Sequence, residues 1–162
     1  MTSSEESLAL VERLAALRHF PTNETLNEFH SVVTKLRDMP PDSRLLPQLY
    51  RTFSDAEDYG VFWTLLHYIE TYPFEDQLAA LTPLTPELAS RDMQHWLPTI
   101  YVRIVNNPET LQLLKKTFQD SDESTQHVIQ QILESLYDNV QDEDVKKTLQ
   151  ARIETVLSSS DV

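Results

Sequence analysis

The chain contains no cysteine and a single glycine, Gly60, among its 162 residues. The lack of cysteine excludes disulfide bonds, a thiol nucleophile and a thiolate metal site. One glycine cannot supply the glycine-rich loops that hold phosphate groups in P-loop and dinucleotide-binding proteins. Both of these nucleotide-binding classes are therefore excluded.

Long apolar runs are missing as well. No stretch approaches the roughly 18 consecutive apolar residues that a membrane helix needs. The first ten residues, MTSSEESLAL, have no basic segment of the kind that begins a secretory signal peptide. We therefore expect a soluble protein of the cytoplasm.

Lys and Arg residues are few, and two long segments of the chain contain none. The formal net charge is −13. No Lys or Arg occurs between Arg51 and Arg91, or between Lys116 and Lys146. Nucleic-acid binding needs clustered cations, so we expect no nucleic-acid partner. A basic protein partner would be attracted by these two acidic zones, although solubility alone also explains an acidic composition.

Motifs for hydrolysis and metal binding do not occur either. The sequence has no G-x-S-x-G, no H-E-x-x-H and no Glu-x-x-His around any of its five histidines. DAEDYG (55–60) and DSDEST (120–125) resemble the start of a calcium loop. Their twelfth positions are Leu66 and Gln131 rather than the required Glu. We expect no catalytic residue, no cofactor, no metal ion and no enzyme activity.

What is present is helical periodicity, separated by Pro, Asn, Asp and Ser. It predicts an all-α fold of eight to nine antiparallel helices, arranged as a HEAT-like α-solenoid or an irregular bundle. We expect a single helical domain over 1–158 and a frayed tail over 159–162. Helices are predicted at about 4–19, 23–39, 43–54, 56–72, 74–81 and 91–106, and three more after 107, 124 and 144. Prolines should interrupt helical structure over 82–92, and Pro98 should kink or split the helix that contains it.

The stretch Ser54–Asp76 combines six acidic and six aromatic residues. The spacing places Phe62, Leu66, Ile69 and Tyr72 in the core, while Tyr59, Trp63 and Tyr68 lie off that stripe. These flanking aromatics either pack against neighbouring helices or contact a partner. Its first three acids are either first-turn residues of a helix or partner contacts.

Trp63, His67 and Glu70 recur at helical spacing on the flank of the same stretch. They are interpreted as a polar cluster beneath a loop, as the rim of an interface, or as an acid–base pair, with the last the least favoured.

The middle of the chain resembles a known family. LYRTFSDAEDYGVFWTLLHYIETYP (49–73) and PELASRDMQHWLPTIYVRIVNNPE (86–109) are similar to the immunity protein 30 family of bacterial polymorphic-toxin systems. The shared features are the acidic turn before an aromatic helix, the W-x-x-x-H-x-x-E spacing and the Trp96…Arg103-Ile104-x-Asn106 stretch. The resemblance implies an all-α, HEAT-like protein that neutralises a cognate toxin delivered by contact-dependent inhibition or secretion.

The hypothesis that follows is an immunity protein that occludes the active site of a basic toxin, such as a nuclease. The alternatives are a helical-repeat scaffold or adaptor for basic proteins, and a small-molecule-binding or enzymatic helical bundle. Candidate partner-binding residues are Asp55, Glu57, Asp58, Tyr59, Trp63, His67, Tyr68, Glu70, Glu75, Asp76, Asp120, Asp122 and Glu123.

Overall fold

The computed structural model describes residues 2–158. This part of the chain is helical and contains no strand, so the all-α prediction is confirmed. It forms nine α-helices, with a short 3-10 helix, Ser43–Leu45, before the third. The α-helices are α1 (Ser3–Leu17), α2 (Asn23–Arg37), α3 (Leu46–Tyr50), α4 (Val61–Ile69), α5 (Phe74–Ala89), α6 (Trp96–Val105), α7 (Pro108–Asp120), α8 (Glu123–Leu136) and α9 (Glu143–Leu157).

Polar side chains begin several of these helices. A helix leaves its first backbone N–H groups without intrahelical partners, and a capping oxygen accepts one of them. The Asn107 side chain accepts from the Glu109 amide at 3.0 Å, and Pro108 follows at the first helical position. This start was predicted from NNPET and is confirmed. Asp122 and Asp142 cap α8 and α9 in the same way.

The chain divides into two compact units, with the boundary between Leu81 and Thr82. In the first unit, α2 packs on α1 and on α4, and α3 packs on α1. Four phenylalanines form its centre, with ring centroids 5.0–5.6 Å apart in edge-on and tilted arrangements. They are Phe20, Phe29, Phe53 and Phe62. The expected core position of Phe62 is therefore correct.

In the second unit, α6 packs against α7 and α8, and α9 packs mainly against α7. The buried Tyr101 hydroxyl lies 2.6 Å from the Thr85 hydroxyl, so this polar group is satisfied inside the core. Other side chains buried in this unit are apolar and include Trp96, Ile100, Leu114, Ile129 and Leu133. The single-domain hypothesis and the choice between solenoid and bundle stay predictions, and the predicted frayed tail lies outside the described residues.

Two predicted helices are shorter in the structure. The third α-helix ends at Tyr50 rather than near Ser54, and the fourth begins at Val61 rather than near Ala56. The late start of α4 follows from the backbone at Tyr59 and Gly60, whose φ values are 48° and 88°. Two consecutive residues in the left-handed region cannot belong to a right-handed helix.

The prediction that prolines interrupt helical structure over residues 82–92 is wrong. Helix α5 continues through Pro83 and Pro86 to Ala89. Each proline removes one backbone hydrogen bond at a cost of about 3 kcal/mol. Leucines at helical spacing on one side of α5 are buried, which offsets that cost. They are Leu78, Leu81, Leu84 and Leu88. Helix α6 begins at Trp96, so Pro98 lies in its first turn, where proline does little harm, and the predicted kink is not formed.

Candidate partner-binding surface

Asp55, Glu57 and Asp58, the first three acids of the stretch Ser54–Asp76, lie in a loop between α3 and α4, here called the acidic loop (Asp55–Gly60). The base of this loop is fixed to the end of α1. The Arg18 guanidinium donates to the Phe53 carbonyl oxygen at 2.7 Å, and the Ser54 hydroxyl donates to the Arg18 carbonyl oxygen at 2.6 Å. Ser54 also accepts from the Ala56 amide at 3.3 Å. The loop therefore starts from a rigid base.

The other end of the acidic loop is held by Asp58. Its carboxylate accepts from the Phe62 amide at 2.7 Å, and its carbonyl oxygen accepts from the Val61 amide at 2.9 Å. A carboxylate at the start of a helix is favoured by the helix dipole. Asp58 therefore stabilises the start of α4, whereas Asp55 and Glu57 are exposed and precede it. The first-turn interpretation is wrong for all three acids because α4 begins at Val61, although the Asp58 carboxylate still accepts an amide of its first turn.

Tyr59 is the most exposed large apolar side chain in residues 2–158, with 74% of its surface accessible. Its φ of 48° is unfavourable for a residue with a bulky side chain. Gly60 follows at φ 88°, where glycine pays no such penalty. The loop thus directs an aromatic ring into solvent at a conformational cost, a pattern that is enriched at functional sites.

The outward face of α4 continues from Tyr59. Trp63 is 38% exposed, and His67 one turn later is also exposed. Their ring centroids are 6.0 Å apart at an angle of 39°. Glu70 follows at the C-terminal cap of α4 and is partly buried. Trp63 and His67 therefore form a row on the surface of α4, Tyr59 is exposed in the loop just before this helix, and Glu70 lies at its C-terminal end.

Tyr68 does not belong to this row. Only 5% of it is exposed, its hydroxyl oxygen lies 3.0 Å from that of Tyr72, and the two rings meet edge to face. Burial and this hydrogen bond raise the pKa of the Tyr68 phenol. The prediction that Tyr68 is available to a partner is wrong because α4 is buried over a wider arc than its central stripe.

Glu75 and Asp76 lie beyond the far end of α4, in the first turn of α5. Glu75 is exposed and Asp76 is partly buried. The nine residues of α4 span about 14 Å, so the acids before α4 and the acids after it in the stretch Ser54–Asp76 are separated by the length of this helix. Both acids also favour the positive N-terminus of α5.

The last three candidates, Asp120, Asp122 and Glu123, are exposed and belong to the second compact unit. Asp122 has a local role there. Its carboxylate accepts from the Thr125 amide at 2.7 Å, and this hydrogen bond, followed by one from the Thr125 hydroxyl, lowers the pKa of Asp122. Asp120 and Glu123 remain candidate contacts.

Two arginines near the acidic loop had no sequence signal. Arg18 is the C-terminal cap of α1. A cation at the end of a helix is common on protein surfaces, so its role in anchoring the acidic loop could not be recognised from the sequence. Arg37 donates to the Thr64 carbonyl oxygen at 3.4 Å and so lies beside the outward face of α4. Long-range contacts of this kind have no periodic pattern in a sequence.

Among residues 2–158, no group of three or more His, Asp or Glu side chains could hold a metal ion. Within the same residues, no helix is long and apolar enough to cross a membrane.

The model of one protein family, described as Immunity protein 30, matches residues 16–114. The chain belongs to the Immunity protein 30 family. The match includes Arg18, the acidic loop and all of α4, and it extends further toward the N-terminus than the resemblance seen in residues 45–115. Membership implies an immunity protein that binds and inhibits a cognate toxin rather than an enzyme. No curated protein and no solved structure matches the chain.

Proposed function

We propose that this immunity protein neutralises a basic toxin, of the nuclease class, by covering the toxin's active site in the bacterial cytoplasm. The contact surface is the acidic loop together with the outward face of α4. Its central residues are Asp55, Glu57, Tyr59, Trp63 and His67. The observation that carries the proposal is the exposure of Tyr59 and Trp63 beside two exposed acids, inside the segment that matches the family.

The two aromatics supply the anchor. Only four large apolar side chains in residues 2–158 are exposed, and Tyr59 and Trp63 are two of them. Tyr and Trp dominate the energetics of protein interfaces, and a central anchor contributes roughly 2 kcal/mol or more when it is truncated to Ala. Burying both rings against a partner would remove apolar surface that now faces water.

The acids supply attraction and selectivity. A nuclease must hold phosphate, so its active site carries Lys and Arg. Asp55 and Glu57 extend from a molecule of net charge −13, and opposite charge accelerates association and disfavours wrong partners. Because Arg18 and Asp58 already fix the ends of the loop, little ordering is needed on binding.

The other candidates have supporting places in this proposal. Asp58 and Tyr68 shape the surface from beneath. Glu70, Glu75 and Asp76 form its far edge, where a large toxin would reach them. Asp120, Asp122 and Glu123 would form a second contact if the toxin also touches the second unit.

Growth rescue tests the function. The open reading frame next to this gene is expressed with and without the chain, and survival is scored. We expect expression of that neighbour alone to stop growth, and co-expression to restore it. A toxic neighbour that is not rescued would exclude this function, whatever surface is involved.

Calorimetry with a catalytically inactive form of that toxin tests the surface. We expect the D55A/E57A variant to bind at least tenfold more weakly at low salt. The control E12A/E154A changes two exposed acids elsewhere and has the same formal charge, −13 + 2 = −11. Equal affinities for the two variants would remove the acidic loop from the interface while leaving the function intact.

A further inference from the structure

Helix α8 carries more apolar side chains than the core of the second unit fully buries. Ile129 and Leu133 are fully buried. Val128, Ile132 and Leu136 recur every four residues on a neighbouring stripe and are only half-buried. The structure therefore leaves a second apolar stripe of α8 open along about 12 Å of the helix.

Leu136 of this stripe lines a groove in the second unit, and Val128 and Ile132 line a neighbouring pocket that shares Pro98 and Ser135 with it. A pocket of about 470 Å³ is lined by Val102, Leu136, Val140 and Val145, among others. A second pocket, of about 450 Å³, shares Val102 and Leu136 with it and continues toward Pro98. The groove is open because α8 packs mainly on α6 and α9 mainly on α7, so α8 and α9 diverge.

Val145 marks the open side of the groove. It is 54% exposed, although it lies in the first turn of α9 among residues that line the pocket. At the opposite side, the Arg152 guanidinium donates to the Asn106 side-chain oxygen at 2.6 Å and closes that end. Val102, Leu136, Val140, Val145 and Leu149 give the first pocket a mainly apolar lining, whereas polar side chains such as Gln94, Thr99 and Asn139 line much of the second. An apolar depression of this kind suits one face of an amphipathic helix.

The α8 side of the groove is acidic, whereas Lys146 and Lys147 directly follow Val145 on α9. No Lys or Arg occurs from residue 117 to residue 145, which includes the whole of α8 and the α8–α9 loop. Asp138, Asp142, Glu143 and Asp144 are exposed at the end where Val140 and Val145 lie. Arg152, the cation in the lining, is already bonded to Asn106. A second copy of this chain, also at −13, is a poor occupant because like charges repel.

We propose that this groove binds a cationic amphipathic helix of another protein. The apolar face of that helix lies on Val102, Ile132, Leu136 and Val145, and its Lys or Arg side chains meet the acids of the α8–α9 loop. The surface is separate in sequence from the acidic loop and does not depend on it. It gives the chain a second protein contact of defined chemistry.

A fluorescent synthetic peptide of about four helical turns tests this proposal by anisotropy. Its leucines have i, i+3, i+4 and i+7 spacing, and lysines cover the other face. The comparison peptide has the same composition in scrambled order. We expect the full chain to bind the amphipathic peptide at least tenfold more tightly than the scrambled one. No binding, or equal binding of both peptides, would overturn the proposal.

Two variants of equal charge locate the site. Val145→Lys places a cation in the groove, and Leu8→Lys makes the same change at an exposed leucine of α1, which is 44% accessible. We expect V145K to weaken peptide binding at least tenfold and L8K to leave it unchanged. Equal effects of the two would mean that general charge attraction, not the groove, binds the peptide.

A readout that does not depend on affinity is available because the chain has no cysteine. An environment-sensitive dye on Val145→Cys should shift its emission when unlabelled peptide is added, and the same dye on Leu8→Cys should not. Phosphatidylglycerol vesicles form the last arm. A dye shift at position 145 with vesicles but not with peptide would replace the protein helix by a membrane and contradict the proposal.

Discussion

The Arg18 guanidinium lies 2.7 Å from the Phe53 carbonyl oxygen, which couples the end of α1 to the base of the acidic loop. The Ser54 hydroxyl returns a hydrogen bond to the Arg18 carbonyl oxygen at 2.6 Å. Side chain and backbone of one arginine therefore hold two consecutive residues, Phe53 and Ser54, at the base of the acidic loop. Loss of the guanidinium should loosen the loop without altering any residue that faces a partner.

We expect Arg18→Met to lower the free energy of unfolding by roughly 1.5–3 kcal/mol, because a hydrogen bond to a charged donor is lost in a partly buried place. Urea denaturation measures this loss. Chymotrypsin should also cleave after Tyr59 faster in the variant, since that exposed residue lies in the loosened loop. The control is Arg13→Met on the same helix, whose exposed pairing with Glu28 should matter less. Equal losses for both variants would contradict the anchoring role of Arg18.

Tyr59 should show opposite effects on folding and on binding. Its φ of 48° is better tolerated by Asn than by Tyr. We therefore expect Tyr59→Asn to be at least as stable as the native chain, while toxin binding weakens by roughly 2 kcal/mol because the aromatic anchor is lost. Thermal unfolding and calorimetry measure the two quantities. A variant that is both less stable and equally tight in binding would refute this assignment.

The change Gly60→Ala checks the backbone argument at the next residue. A Cβ at Gly60 meets no atom within 4 Å, so crowding cannot explain any effect. The φ of 88° alone should cost roughly 1–2 kcal/mol. An unchanged stability would show that the loop relaxes, and the strain argument for Tyr59 would fail with it.

Periodicity and capping signals predicted much of this fold. Asn107 and Pro108 mark a real helix start, and Phe62, Leu66, Ile69 and Tyr72 are buried as their spacing predicts. These signals are local, because capping and helical spacing depend on residues within one or two turns. The all-α class follows from them.

The errors have non-local causes. Pro83 and Pro86 are tolerated because buried leucines stabilise α5, and no local rule weighs that packing against a proline. Tyr68 is buried by neighbours that its helix does not reveal. The role of Arg18 and the open stripe of α8 were not predicted for the same reason, since both depend on which helices pack against each other. The family match explains why Tyr59, Trp63 and the acidic turn were recognisable, whereas their contacts with a toxin remain a proposal.

The pH dependence of stability should report on Asp122. Hydrogen bonds from Thr125 lower its pKa in the folded state, so the ionised form stabilises the fold. This stabilisation is fully present above the unfolded pKa of about 3.9 and is lost as the pH falls through the lower folded value. Asn also caps helices well, so Asp122→Asn removes the charge and keeps a capping oxygen.

We therefore expect the native chain to be more stable than Asp122→Asn at pH 7, with the difference disappearing as the pH falls through the lowered folded-state pKa of Asp122. Urea denaturation over this pH range measures it. The matched control is Asp120→Asn. Asp120 is also an exposed acid, and it lies at the C-terminus of α7, just before the Asp122 cap of α8. A difference for Asp122→Asn that persists into strong acid would mean that shape, not charge, sets the role of this residue.

The buried Thr85–Tyr101 pair provides a test inside the second unit. The two hydroxyl oxygens lie 2.6 Å apart and Tyr101 is completely buried. Tyr101→Phe breaks this buried hydrogen bond and should cost roughly 1–3 kcal/mol. Thr85→Val should cost a comparable amount, and the double variant should cost less than the sum because both polar groups are then absent. Strictly additive losses in a double-mutant cycle by urea denaturation would show that the hydroxyls do not interact.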